Sequence, residues 1–387
     1  MAFALLDEQQ MLLDSIDGFL RKEYDFEKRR VILASDKGWN PDVWRQLAEL
    51  GILGLPFEEE DGGIGRGALD LAIVMRAIGG SLMVEPFLAT VVLAGGILRR
   101  VATPDQRRRF IPDIALGTSI LALAFAEPGS RFNLAEVGVS AVEGDGGYVV
   151  TGSKSVVLGA PLAQGLLVTV RTAGGARDRD GVSVVYIPSD AAGVGMRTFQ
   201  TVDGAQAADV EFDKVFVPHA DLLGTRDGAL PGIEHAMDEA LIAITADMAG
   251  SMWALYERTL AYSRVRTAFG KTLSEFQVLQ HRLVDMRVAC EYADAMVQLA
   301  AEQVDSDPVQ RAQACAAAKV QVGRDGRFVA QSALQLHGAI GMTDELDVSH
   351  YFRRIAVLDG MLGTPDHHLR RYAAFLRQSG PLLEFAA

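Results

Sequence analysis

Three stretches toward the C-terminal end, residues 234–265, 276–304 and 308–338, run without an internal proline and are dominated by Ala, Leu, Met and Arg. Residues of this kind lose little side-chain freedom in a helix. The spacing predicts long helices over all three. Helices of this length fold by burying a face on one another, so the region suits an up-down bundle that can also pack against another subunit.

The rest of the chain has two further textures. Residues 1–115 read as helical, with Leu12, Leu13, Ile16, Phe19 and Leu20 at helical spacing. Gly62 to Gly65 reads as a loop, the segments 69–78 and 91–98 are apolar, and Pro104-Asp105 marks a helix start. Residues 116–230 read as strands instead, at 147–151, 166–170, 182–187 and 210–217, separated by Gly, Asp and Pro at the short spacing of an antiparallel barrel or sandwich. No strand opens onto a GxGxxG helix, which excludes a Rossmann unit. The expected class is α+β, in three domains: 1–115 all-α, 116–230 β, and 231–387 a helical bundle.

Composition narrows the partners. The 387 residues are 49% hydrophobic and 22% charged, a globular balance, and the net charge is −13. That charge argues against nucleic acid or an anionic membrane surface. Cys290 and Cys315 form no CxxC pair and read as buried small apolar residues. No apolar run reaches the roughly 18–20 residues of a membrane span, and MAFALLDEQQ has no basic leader. The expectation is a soluble cytoplasmic protein without membrane insertion.

Chemistry is concentrated in two runs. In Arg264 to Gln280, Arg266 can bind a pyrophosphate, Phe269 can pack on an adenine and Gln277 can hydrogen-bond polar edges. Residues 335–341 follow as Gln-Leu-His-Gly-Ala-Ile-Gly. The pair resembles the flavin-nucleotide signature of the acyl-CoA dehydrogenase family, RxxFG then QxxGGxG. Glu127-Pro128, Thr151-Gly152-Ser153-Lys154 and the Val217-Pro218 turn extend the resemblance over nearly the whole chain. It implies a helical N-terminal domain, a middle antiparallel β-barrel and a C-terminal four-helix bundle. It also implies FAD as cofactor, an acyl-CoA substrate and electron-transfer flavoprotein as acceptor. By the same resemblance Arg266, Phe269, Gln277, Gln335, Gly338, Gly363 and Thr364 are nucleotide contacts, reaching across a dimer interface to the partner's flavin. Ala339 replaces the motif's second glycine and can crowd the approach of a phosphate.

The reaction implied takes a proton from the α-carbon of the thioester and a hydride from the β-carbon, so it needs a carboxylate base. The family's usual base position corresponds to Leu362 and its alternative one to Ala240; neither side chain accepts a proton. Two nearby acids are candidates. Glu239 is one residue, about 100° of helix, from Ala240. Asp359 stands three residues before Leu362, on the same face if that segment is helical. The turn contacting the flavin ring reads Ala126-Glu127-Pro128-Gly129-Ser130-Arg131-Phe132-Asn133. Relative to the family, hydroxyls have become Ala126, Phe132 and Leu158, and the ring-packing indole has become Val156. Each lost hydrogen bond costs on the order of 1 kcal/mol.

The nucleotide end is thus retained while the ring end and both base positions are altered. Asp366-His367-His368 resembles the tail of the small subunits of two-component acyl-CoA dehydrogenases, the kind acting on pimeloyl-CoA or steroid side chains. The implied function is a subunit that lacks the base and completes the flavin site of a homologous large subunit in a heterotetramer. The alternatives are a self-sufficient homotetramer using Asp359 or Glu239, another flavin chemistry on this fold, or a scaffold that has lost FAD.

Overall fold

The structure is a computed structural model and describes residues 5–378. Helices come first: α1 (Asp7–Glu23), α2 (Phe26–Ala34), α3 (Pro41–Glu49) and α4 (Ala68–Ser81). A π-helical segment, Leu88–Ala94, leads into α5 (Gly95–Val101), and α6 (Pro104–Ala115) follows. Helix α6 starts where its proline falls. Thr103 and Gln106 form a reciprocal capping box, and Pro104 occupies a position whose N–H would have no partner.

Strands β1 (Leu121–Ala124), β2 (Ser140–Gly144), β3 (Gly147–Leu158), β4 (Gly165–Arg171), β5 (Val182–Pro188), β6 (Val194–Gln200), β7 (Gln206–Pro218) and β8 (Leu222–Leu223) make one sheet. Its order is β6-β7-β3-β2-β4-β5-β8, with β1 beside β4. Most neighbours are antiparallel, but β1 and β2 run parallel to β4. Among the described residues this is a ladder with β6 and β8 at its ends; no pairing closes it into the expected barrel. The core on its inner side includes Val150, Leu166, Val168, Val185, Val210 and Phe212.

The C-terminal part holds α7 (Leu230–Val265), a hairpin of β9 (Thr267–Ala268) and β10 (Lys271–Thr272), α8 (Gln277–Glu302), α9 (Pro308–His337), α10 (Asp347–Gly360) and α11 (Pro365–Gln378). The long helices match the three proline-free stretches to within a few residues. Helix α9 packs against α8, α10 and α11. No helix among the described residues is long and apolar enough to cross a membrane.

The chain divides into two compact units, one of residues 1–31, 68–83 and 241–387, the other of residues 32–67 and 84–240. Helix α7 begins in the second and continues in the first. Within the first unit, α4 and α7 approach through glycine. A Cβ on Gly79 would run into the carbonyl of Asp247, and one on Gly250 into the carbonyl of Arg76. Asp247 is fully buried and pairs with Arg354 of α10. Gly250→Ala adds a residue that favours helix by about 1 kcal/mol, yet must separate two backbones. Overpacking of this kind costs roughly 1–3 kcal/mol. The variant is expected to unfold at lower urea concentration than the parent chain, despite its better helix propensity.

Candidate functional site

The turn of the β9–β10 hairpin consists of Phe269 and Gly270, with φ of +54° and +83°. Positive φ at both central residues is the geometry that a two-residue hairpin demands. Glycine accepts it freely and phenylalanine does not, so the conformation is imposed by the hairpin. The ring it displays is 96% exposed. Arg266 is exposed beside it, and among the described residues its guanidinium pairs with no carboxylate.

The second run lies at the end of α9. Here His337 is buried and stacks on Tyr262, with ring centroids 4.4 Å apart, and its Nδ1 is 2.9 Å from the carbonyl of Ala333. Burial holds its pKa below the usual imidazole value. Tyr262 is one turn before Arg266, whose N–H donates to the Tyr262 carbonyl. The stack therefore joins the two runs that sequence had placed 69 residues apart, from Arg266 to Gln335. Gln277, Gln335, Gly338 and Ala339 are all exposed, and a Cβ on Gly338 would meet open space.

Gly363 and Thr364 form a separate group. They follow α10, and their flanking residues Leu358, Asp359 and Pro365 lie against the middle of α9, at Lys319 and Gly323. From Lys319 to Gln335 the helix rises about 24 Å. Asp359 does not reach into the open: a Cβ on Gly323 would stand 2.6 Å from its Oδ1, and its Oδ2 is 3.6 Å from Arg327 Nε. Burial raises its pKa, opposed by Arg327 and Lys319. Lys319 is fully buried, and burial lowers its pKa to about 7.

In the second unit, Glu239 is buried and its Oε1 receives Arg99 at 2.6 Å and also Arg100. Ala240, beside it, is completely buried. The stretch around 126–133 is anchored by Lys154. Its ammonium is buried and donates to Glu127 Oε1 at 2.6 Å, Thr169 Oγ1 at 2.8 Å and the Phe125 carbonyl at 3.3 Å. The Glu127 carboxylate also accepts from the N–H groups of Gly138 and Val139. Downstream, the Arg171 guanidinium donates to the carbonyls of Ala135, Ala176, Asp178 and Asp180.

Val156 sits in an irregularity of the β3–β7 ladder, at φ +51° and 52% exposed. Its N–H donates to Asp209 Oδ1 at 3.0 Å, and Asp209 also pairs with Arg197. Asp209 and Arg171 were not among the residues singled out by sequence. Nothing in their local pattern marks them, because Asp209 acts on backbone 53 residues away and Arg171 on irregular loop carbonyls on both sides of it.

Models of three acyl-CoA dehydrogenase domains match the chain: the N-terminal domain over residues 6–118, the middle domain over 122–215 and the C-terminal domain over 231–376. The chain belongs to the acyl-CoA dehydrogenase family, FAD-dependent oxidoreductases acting on acyl-CoA. The probable acyl-CoA dehydrogenase YngJ of Bacillus subtilis (strain 168) is 27% identical over 372 residues, covering 95% of this chain and 97% of that one. Mitochondrial isovaleryl-CoA dehydrogenase of Oryza sativa subsp. japonica is 26% identical over 368 residues, 93% of this chain and 89% of that protein. Among solved structures, a chain of the ChsE4–ChsE5 complex from Mycobacterium tuberculosis superposes with a TM-score of 0.88 at 25% identity, covering 98% of this chain and 100% of that one.

FAD offers a diphosphate and an adenine at one end and a ring with polar edges at the other. The exposed guanidinium of Arg266, the displayed ring of Phe269 and the open backbone at Gly338 suit the first end. At the second, Ala126, Phe132, Val156 and Leu158 bring no side-chain donor, and the N–H of Val156 is already taken by Asp209.

The Lys154–Glu127 pair predicts a stability signature. Burial lowers the Lys154 pKa to about 8, with Glu127 opposing. The unfolded chain holds that proton to about pH 10.4. Between these values the unfolded state binds more protons, so this group makes stability rise with pH. Lys154→Met leaves Glu127 without its cation and is expected to cost about 3–5 kcal/mol near neutrality. Urea titrations at pH 7 and pH 9.5 should show the deficit growing at the higher pH, because only the parent chain gains from releasing the Lys154 proton.

Proposed function

We propose that this chain is a subunit of a heteromeric acyl-CoA dehydrogenase, lacking the base and lending its nucleotide-binding residues to a flavin site completed by a homologous subunit. One observation carries the lending of contacts: Phe269 is held fully outward on a strained turn, beside Arg266, which has no partner carboxylate among the described residues. A chain that used these groups only for itself would have no reason to display an aromatic ring to water. The likeness to a chain of the ChsE4–ChsE5 complex is consistent with such an assembly.

The two candidate acids support the same reading. Glu239 is spent on two arginines. Asp359 is turned onto Gly323 and Arg327. FAD, when bound, would supply the hydride acceptor. Arg266, Gln277, Gln335 and the backbone at Gly338 and Ala339 would bind and orient its nucleotide end, with Phe269 packing there, and Gly363 and Thr364 would serve a second contact. The α-proton is taken by a carboxylate of the partner. Electron-transfer flavoprotein as acceptor, and a dicarboxylic or steroid-type acyl group as substrate, follow from the resemblance to two-component enzymes.

Arg266→Ala tests the lending of nucleotide contacts. A charge-assisted bond to phosphate contributes roughly 1.5–3 kcal/mol, about ten- to a hundredfold in affinity. FAD retention by the assembled complex, followed by flavin absorbance after gel filtration, should fall by that factor. Unchanged retention removes the proposal.

Asp359→Ala tests the location of the base. A true base contributes about 10²–10⁴-fold to rate. Dehydrogenation by the complex is expected to stay within a few-fold of the parent. Loss of activity in a preparation of this chain alone, with flavin content preserved, would instead make Asp359 the base of a self-sufficient enzyme.

A further inference from the structure

Two buried cationic-type side chains grip the turn that joins α10 to α11. The ammonium of Lys319, on α9, donates to the carbonyl of Leu358 in the last turn of α10. On α11, His368 is 2% exposed, with Nε2 3.0 Å from the carbonyl of Leu362. A carbonyl only accepts, so Nε2 bears the proton. His368 Nδ1 is buried without a hydrogen-bond partner among the described residues.

Between the two gripped carbonyls the backbone does something its sequence disfavours. Leu362 lies at φ +54°, in the left-handed region that leucine rarely adopts, and Gly363 follows at φ +116°. Gly363 is obligatory, since a Cβ there would stand 2.6 Å from His368 Nε2 and 2.8 Å from His367 Cδ2. The first turn of α11 closes on the same segment. The N–H of His367 donates to Thr364 Oγ1 at 3.3 Å and that of His368 to the Thr364 carbonyl at 3.1 Å.

We infer that His368 is a positioning residue: together with Lys319 it clamps the carbonyls on either side of residues 359–362 and thereby fixes the Gly363–Thr364 turn in the shape that meets the flavin nucleotide. The second half of this inference rests on the proposed function, in which Gly363 and Thr364 are nucleotide contacts. The ring suits the task because it donates without carrying charge. Burial, with Arg371, His367 and Lys319 adding to it, lowers its pKa to about 3. An arginine or lysine here would add a second buried cation beside Lys319.

The experiment compares three substitutions in the full chain and in its FAD-loaded complex. Gln places an amide N–H near the position of Nε2, Asn places one near Nδ1, and Leu supplies neither. Amide hydrogen exchange reads the turn directly. His368→Leu and His368→Asn should speed exchange over residues 361–368 at least tenfold, leaving the hairpin at 267–272 unchanged, and His368→Gln should restore protection. FAD retention by the complex should fall roughly tenfold with Leu and Asn and recover with Gln. Should the Leu variant not fold, Asn against Gln decides alone. Equal exchange for Asn and Gln overturns the clamp. Faster exchange with unaltered FAD retention overturns the positioning role. The exchange result stands whatever Arg266→Ala does, so failure of the clamp and failure of the heteromer reading are told apart.

Discussion

The first unit depends on a close approach of α4 and α7 that only glycine permits. Gly79 and Gly250 let each helix rest on the other's backbone, and the contact buries Asp247 completely. A buried carboxylate must be paired, and Arg354 of α10 supplies the partner. One requirement thus ties three helices. Because α10 is positioned by it, so is the turn that follows α10, and the residues at 359–364 inherit their placement from a contact well outside the site.

The second unit meets the same requirement differently. Lys154 and Glu127 are a buried pair whose remaining lone pairs and protons go to Thr169, the Phe125 carbonyl and two backbone N–H groups. This arrangement shapes the turn at 126–133 without any residue that touches a substrate. The turn at 126–133 is thus held by backbone and by the Lys154–Glu127 pair, and its shape does not depend on hydroxyls at Ala126 or Phe132.

Much of the architecture was legible because it rests on local physics. Pro308 and Asp307 open α9 where the proline-free stretch begins, with the Asp307 side chain accepting from two N–H groups. Strands rich in Val, as at 166–170 and 182–187, were equally plain. Leu121–Ala124 was not, since four buried Leu and Ala residues carry no strand period and read equally as helix. Edge strand β6 was not plain either, since four of its seven residues are exposed and none is fully buried. In the site, the direction of Glu239 away from Ala240 followed from helix geometry. Its capture by Arg99 and Arg100 did not, nor did the left-handed conformation of Leu362, because both depend on partners far along the chain.

Helix α9 carries the residues of the second run at one end and the Lys319 clamp near its middle, so it acts as a ruler. Along a helix, inserting one residue lengthens the path by about 1.5 Å and turns everything beyond it by about 100°. A single insertion between Lys319 and Gln335 would leave each group locally intact and aim one of them at the wrong neighbour. Composition in this stretch is free to drift wherever packing allows. Its length is not: even an insertion that restores the face, such as seven residues or about two turns, moves the two groups roughly 10 Å further apart.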